Sequence, residues 1–342
     1  MKKFFIAQLV FLLGGVGKIL AQDAVFSQFT TAAVHLNPAF TGLSPSTKIS
    51  FIYRYSLPLW PNAFVTSGVS VEKAFRDYNS GIGWTITKDE SGDGIFSDTR
   101  SRLSYSYEVM INTDSRFRLG IDVGLINHRI NWSRLIFEDQ IDPLNGPYGS
   151  ASIEDLPQWN NKTALDVGAG LLFAHPLWYA GLSIRHLNRP ELTFLHQNLG
   201  TRSNIAAGWP ARITFNVGTE IPFTLYNIGS RPAFISPNLM MIRQGPFQQV
   251  TGGAYIGMSS VFGGVWYKTA VRNTDALVGM VGYKHGIFKF AYSFDWLVSD
   301  LSNSRNGGSH EFSVILNFSE SSSFKNRSSA LDINNCLKLY SF

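Results

Sequence analysis

Apolar and polar side chains alternate along the last well-patterned segments of this sequence. Between residues 309 and 318 one face carries large apolar groups and the other carries polar groups: Phe312, Val314, Leu316 and Phe318 against Glu311, Ser313 and Asn317. The preceding segment repeats the pattern with an aromatic row: Phe288, Phe290, Tyr292, Phe294 and Trp296. A two-residue period, with one face suited to lipid and the other to water, is typical of outer-membrane β-barrels. We therefore predict an all-β fold, a transmembrane antiparallel β-barrel located in the bacterial outer membrane.

The same alternation predicts about fourteen strands within residues 48–318, an even number in the range of bacterial barrels. Four segments alternate less clearly, so that twelve strands is the alternative: 231–242, 247–258, 261–270 and 275–284. Every second connection is short, apart from a longer one over 222–230, and long segments at 131–162 and 188–209 lie between them. Because such barrels have short periplasmic turns and longer outer loops, both ends of the barrel are expected to be periplasmic.

Residues 1–21 have the pattern of a secretory signal peptide. Lys2 and Lys3 precede an apolar run over residues 4–16, and Ala21 marks the expected cleavage point. The run is shorter than the roughly 20 residues that a spanning helix needs. A signal peptide is the favoured interpretation, and a retained N-terminal anchor is the alternative.

Two segments lie outside the predicted barrel of residues 48–318. Residues 22–47 are expected to form a periplasmic N-terminal segment or a plug that enters the lumen, and residues 319–342 a C-terminal tail. The single cysteine, Cys336, has no partner for a disulfide within the chain. Lys2, Lys3 and Lys18 account for three of the formal charges in the net +5, which leaves +2 after cleavage. That near balance argues against nucleic acid as a partner.

The sequence offers little support for enzymatic chemistry. The seven histidines are scattered along the chain, and the Gly-x-Ser-x-Gly motif of hydrolases does not occur. The loop over residues 89–94 has oxygen-bearing side chains at alternate positions, but Arg100 stands where a calcium loop has its closing acid. We therefore predict no enzyme activity, no cofactor and no metal, with calcium in this loop as the weaker interpretation against a plain polar loop.

Charged residues on the polar faces are numerous and of both signs: Arg54, Glu72, Glu108, Arg118, Asp122, Asp166, Arg212, Glu220, Lys289, Asp295 and Glu311. Inside a barrel such groups either pair across the lumen or line a wet channel, and mixed signs favour pairing. Tryptophans near strand ends are expected to form interfacial girdles: Trp60, Trp84, Trp178, Trp209 and Trp296. Trp132 and Trp159, in the longest loop, are candidates for contact with a partner.

Two motifs at the start of the expected mature chain carry a family resemblance. The first contains Phe26, Ser27, Gln28 and Phe29, and the second contains Asn37, Pro38, Ala39, Phe40 and Gly42. This pairing resembles the start of the PorP/SprF family of type IX secretion system membrane proteins. The similarity continues to about Phe318, and the tail beyond it departs from the family pattern.

The resemblance implies a non-enzymatic outer-membrane accessory of type IX secretion that serves gliding or adhesin export. Its expected partners are a secreted adhesin or the C-terminal signal domain of that adhesin, other type IX secretion components, and outer-membrane lipid. A channel for hydrophobic or small solutes and an anchor for the periplasmic secretion motor are the alternatives. The nine signature residues are candidates for partner docking, and packing at the mouth of the barrel is the other interpretation of their aromatic members.

Overall fold

In the computed structural model, the chain is described over residues 22–59, 64–112, 114–142, 144, 146–147, 152–154, 160–192, 194, 208–225, 231–258, 260–270, 275–298 and 307–318. The predicted signal peptide, the C-terminal tail with Cys336, and both Trp60 and Trp159 lie outside these residues.

Fourteen antiparallel strands form one closed sheet within the described residues. The first seven are Lys48–Ser56, Phe64–Phe75, Ser80–Ser91, Phe96–Met110, Arg116–Ile130, Asn161–Ala174 and Trp178–Arg185. The eighth consists of Arg212–Thr219 continued by Ile221–Leu225, and the others are Arg231–Gln244, Phe247–Met258, Val261–Ala270, Ala276–His285, Phe288–Leu297 and Ser309–Asn317. The first strand pairs with the last, Lys48 opposite Asn317, so that the sheet closes into a barrel. The predicted fold class and the count of fourteen strands are confirmed.

The eighth strand is interrupted beside a proline of its neighbour. Its two parts keep one register, because Gly218 pairs with Asn238 and Ile221 pairs with Ile235. Pro237 lies within the gap and has no N–H to donate to the ladder, which explains the break. The connection expected over residues 222–230 is therefore too long, since Ile221–Leu225 belongs to the strand.

The two ends of the barrel differ in their connections. We call the end that carries residues 76–79, 111–115 and 175–177 the turn end, and the end that carries residues 131–160 and 186–211 the loop end. Both termini of the barrel wall, Lys48 and Asn317, lie at the turn end. Short 3-10 helices occur in the connections, at Arg76–Tyr78, Trp132–Arg134 and Glu138–Gln140, and a small hairpin joins Ile141–Asp142 to Gly146–Pro147.

The aromatic row of residues 288–296 lies on the outside of the barrel. Phe288, Phe290 and Trp296 are exposed, whereas the intervening Lys289 and Asp295 are buried. The exterior therefore presents apolar side chains to lipid, and the polar face turns inward, as expected of an outer-membrane barrel.

The segment before the first strand lies inside the barrel. Residues 23–47, the lumen segment, contain a four-residue helix, Ala33–Leu36, and a 3-10 turn, Pro38–Phe40. Asp23 contacts His186 and Trp209 at the loop end. Ser44 donates to Asn317 at the turn end. The chain therefore runs through the lumen from the loop end to the turn end before it begins the first strand.

The strands that alternated poorly in the sequence have apolar residues on both faces. Met240, Tyr255 and Trp266 are buried inside the barrel against the lumen segment, while Met241, Ile256 and Tyr267 are exposed outside. The strands within residues 231–284 thus form an apolar core with the lumen segment, and the rest of the interior is mainly polar. The sequence had suggested a uniformly polar lumen.

Candidate functional site: the filled lumen and the loop end

All nine signature residues of the lumen segment are buried. Phe29 packs edge-on against Trp266 with ring centroids 5.8 Å apart, and Phe40 meets Tyr179 in the same way at 6.4 Å. Burying an aromatic or large aliphatic side chain contributes about 1.5–3 kcal/mol each. In these buried positions the aromatic side chains hold the segment in the barrel. A role of the nine residues in partner docking stays a prediction.

Glycines in the wall make room for the second motif. A Cβ atom added to Gly120 would lie 2.3 Å from the backbone nitrogen of Ala39, and one added to Gly170 would lie 2.0 Å from Oδ1 of Asn37. The Asn37 side chain in turn accepts from the Ala39 N–H at 2.9 Å and donates to the Leu171 carbonyl at 3.1 Å. The backbone of the segment therefore lies directly on the wall at positions where only glycine fits.

Charged side chains of the barrel wall bind the first motif, residues 26–29. Glu311 accepts hydrogen bonds from the backbone N–H groups of Ser27 at 2.9 Å and Gln28 at 2.7 Å. Arg54 bridges Glu311 at 3.0 Å and Asp295 at 2.8 Å, and Lys268 binds Asp295 at 2.6 Å. The predicted pairing of lumen charges is present here, and it also includes backbone groups of the segment.

Two arginines satisfy backbone carbonyls at the ends of the short helical turns. Arg185 donates to the carbonyls of Val34 and His35, and Ser183 donates to the carbonyl of Leu36. Arg118 donates to the carbonyls of Ala39 at 3.1 Å and Thr41 at 2.6 Å. The last carbonyls of a helix have no partners within it, so these side chains replace the water that would otherwise be needed.

A cluster at the loop end holds the start of the segment, and we call it the Asp23 latch. His186 lies between two carboxylates, with Nε2 at 2.9 Å from Asp23 and Nδ1 at 2.8 Å from Asp166. Trp209 donates to Asp23 at 3.0 Å, and Arg100 lies 3.2 Å from the same carboxylate. The latch thus joins the lumen segment to two strands and to the long loop at residues 186–211.

Charges set the protonation of the latch. Burial alone would raise the pKa of the Asp23 carboxyl, but the positive charges of Arg100, His186 and Arg212 hold that pKa well below its ordinary value. Burial opposes protonation of His186, yet Asp23 and Asp166 raise its pKa above the usual 6.5. The latch therefore favours an ionised Asp23 beside a protonated His186.

The long loop at residues 131–160 leaves several aliphatic side chains in solvent. Leu144 is 94% exposed and Ile153 is 90% exposed, and Ile136 and Ile141 are also exposed. Trp132, a predicted contact residue, packs edge-on against Phe194 at 5.8 Å and is half-buried. Trp159, the other residue of this loop that was predicted to contact a partner, lies outside the described residues.

Trp209 was predicted to belong to an interfacial girdle, but it does not lie on the outside of the barrel. It is buried in the latch, where its ring also stacks with the Arg100 guanidinium at 5.5 Å. Trp84, Trp178 and Trp296 are exposed on the barrel wall, as girdle residues would be. Asp23, Arg100, Arg185 and His186 cannot be recognised as parts of one site from the sequence, because only the closed barrel brings them together.

Within the described ranges, no group of three or more acidic, histidine or cysteine side chains is arranged to hold a metal ion. None of the helices in the described part of the chain has the length and apolar character that a membrane crossing requires.

Comparison with solved structures finds distant barrels. The P. putida toluene transporter TodX is 8% identical over 84% of this chain and 94% of its own, with a TM-score of 0.46. The CymD monoaromatic hydrocarbon channel is 10% identical over 88% and 93%, with a TM-score of 0.43. BamA from Haemophilus ducreyi lacking POTRA domains 1–3 is 10% identical over 80% and 70%, with a TM-score of 0.38. With TM-scores this low, these likenesses carry no argument about function.

Comparison with curated proteins finds no match. The family model of PorP/SprF, described as type IX secretion system membrane protein, matches residues 19–316. This match and the closed barrel with its apolar exterior place the protein in the bacterial outer membrane. The family is one of secretion-system membrane components and not of enzymes. The chain therefore belongs to the PorP/SprF family of type IX secretion system membrane proteins.

Proposed function

We propose that this protein is a non-enzymatic accessory of type IX secretion that binds a secreted surface protein, or the C-terminal signal domain of that protein, at its outer rim. Gliding or adhesin export is the process that it serves. The observation that carries the proposal is the filled lumen. With residues 23–47 lying through the barrel, the exposed surface available to a protein partner is at the two ends.

The loop end is the better surface for such a partner. Its long loop exposes Leu144 and Ile153 almost completely, and Ile136 and Ile141 of the same loop are exposed as well. Several exposed apolar groups in one loop are a feature of protein interaction sites. Because long loops of outer-membrane barrels face the cell exterior, this surface would meet a protein that is delivered to the cell surface.

The two alternative functions have less support. A channel for small or hydrophobic solutes needs a path through the lumen, which the lumen segment occupies from Asp23 to Ser44. An anchor for the periplasmic motor that acts through residues 23–47 would need those side chains to be accessible. Most of them are buried against the barrel wall.

Two serine substitutions in the long loop, Leu144→Ser with Ile153→Ser, test the proposal in cells. We expect loss of one specific secreted protein from the cell surface and from material purified with the barrel, while bulk secretion continues. Leu177→Ser is the matched control, because Leu177 is an aliphatic residue that is 65% exposed at the turn end.

Deletion of the gene should give the same loss, and the control variant should behave as the parent does. Normal surface display of all secreted proteins in the deletion strain would rule the proposal out. Equal loss in the Leu177→Ser strain would exclude the loop end as the binding surface.

A further inference from the structure

Four buried arginines surround a small cavity between the lumen segment and the barrel wall. The cavity has a volume of about 20 Å³, and its wall includes Arg100, Arg102, Arg185 and Arg212. On the other side it meets residues of the lumen segment, among them Asp23 and His35. Each of the four arginines is at most 5% exposed.

Several guanidinium N–H groups in this cluster have no hydrogen-bond acceptor. They are Nε of Arg100, Nη2 of Arg102, Nε of Arg185 and Nε of Arg212. Nη2 of Arg100 is already in an ion pair, 3.2 Å from the Asp23 carboxylate. A buried donor without an acceptor costs about 1–3 kcal/mol, and more when it is charged. Four such donors, one on each of four side chains that line one cavity, are a set of partners for a negatively charged ligand.

The carboxylates near the cluster are engaged with its cations, although neither oxygen of Asp122 makes a hydrogen bond. Asp166 binds Arg102 at 2.9 Å and also His186, and Asp122 lies 3.2 Å from Arg185. Asp23 is shared among Arg100, Arg212 and His186. Asp98 lies 3.6 Å from Arg100 but 2.5 Å from His128. Four guanidinium groups and His186 thus face Asp23, Asp98, Asp122 and Asp166, and the charge of Asp89 also acts on Arg100.

The size of the cavity restricts the ligand. A space of about 20 Å³ exceeds the roughly 10–15 Å³ that one water molecule needs, which suits a small ligand. We propose that the cavity binds a monatomic anion of the chloride class, which accepts from the N–H groups of the wall arginines beside the lumen segment.

Bromide is the probe for this site, because it replaces chloride and scatters anomalously. Crystals of the mature chain grown in sodium bromide should show an anomalous peak among the four arginines. In lipid vesicles at constant ionic strength, bromide should also stabilise the barrel against urea in a saturable manner. At free bromide about 100-fold above Kd, the ratio of folded to unfolded protein should rise about 100-fold relative to gluconate.

Arg212→Gln should abolish both the peak and the saturable effect. Lys268→Gln is the matched control: Lys268 is also a buried lumen cation, but it binds Asp295 outside the cavity, so that the bromide effect should be retained. Absence of the peak in the parent protein would overturn the proposal even if Arg212→Gln does not fold. A peak without saturable stabilisation, an adventitious ion only, would overturn it as well. Neither result bears on partner binding at the loop end.

Discussion

Replacing Gly120 by leucine should force the lumen segment off the barrel wall. The new Cβ alone would lie 2.3 Å from the Ala39 nitrogen and 2.4 Å from the Pro38 carbonyl carbon, against an ordinary contact of 3.4–4 Å. The backbone of the segment must therefore shift by about 1 Å, which also strains the bond from Arg118 to the Ala39 carbonyl. Overpacking costs about 1–3 kcal/mol, and a hydrogen bond to a charged group contributes about 1.5–3 kcal/mol, so the seating of the segment should weaken by about 2.5–6 kcal/mol.

Thiol labelling measures this seating directly. Cys336 is first replaced by serine, and Ala33, which is 2% exposed in the lumen segment, is replaced by cysteine. A tenfold change in the population of the exposed state corresponds to about 1.4 kcal/mol, so Gly120→Leu should accelerate maleimide labelling by at least about 60-fold. Gly279→Leu is the control, since a Cβ at Gly279 meets nothing within 4 Å on the exposed face.

The labelling result can refute the reasoning in two ways. Fast labelling of Ala33→Cys in the parent barrel would mean that the segment does not stay in the lumen. Unchanged slow labelling in Gly120→Leu would mean that contact with Gly120 does not hold it there.

Three further predictions concern the charges and the orientation of the barrel. Glu311→Gln leaves Arg54 with one carboxylate and weakens two hydrogen bonds to the lumen segment. We therefore expect it to lower the free energy of unfolding in urea by about 3–5 kcal/mol. Glu90→Gln, in the exposed pair with Lys88, should change this free energy by less than about 1 kcal/mol. His186 stabilises the folded state fully below its unfolded pKa of about 6.5, and this stabilisation is lost as the pH rises through its raised folded pKa. Asp23 stabilises the folded state above its unfolded pKa of about 3.8, and this stabilisation is lost as the pH falls towards its lowered folded pKa. Urea midpoints should therefore be highest between about pH 4 and 6.5 as far as the latch is concerned, and His186→Asn should remove the decline on the alkaline side; an identical alkaline decline in that variant would exclude His186 as its cause. A protease site inserted at Leu144 should be cut on intact cells and one at Tyr78 should not, and the reverse result would invert the assigned orientation.

The barrel wall was predictable because its signal is local. In a strand such as Phe288–Leu297, the apolar and polar faces can be recognised within ten residues. Contact with lipid favours that alternation whichever strand lies beside it. The segment from 231 to 284 was harder to read, since Met240 and Met241 are both apolar but face opposite sides of the wall. Its alternation is weakened by the second core that it forms with the lumen segment.

The interior site was not predictable from the sequence. Asp23 and Gln244 are hydrogen-bonded although they are 221 residues apart, and Ser27 and Glu311 are 284 residues apart. No periodicity relates such residues; closure of the barrel alone brings them together. The signature motifs did direct attention to residues 26–42, but their sequence alone left open whether those side chains serve a partner or the lumen.

Single-molecule conductance across a planar bilayer tests the central claim, that the chain fills its own barrel. The mature protein should insert without stepwise current, because the lumen segment passes from the Asp23 latch to Ser44 through the lumen. Discrete conductance steps from the unmodified mature chain would contradict a filled lumen and would favour a channel as the function of the protein.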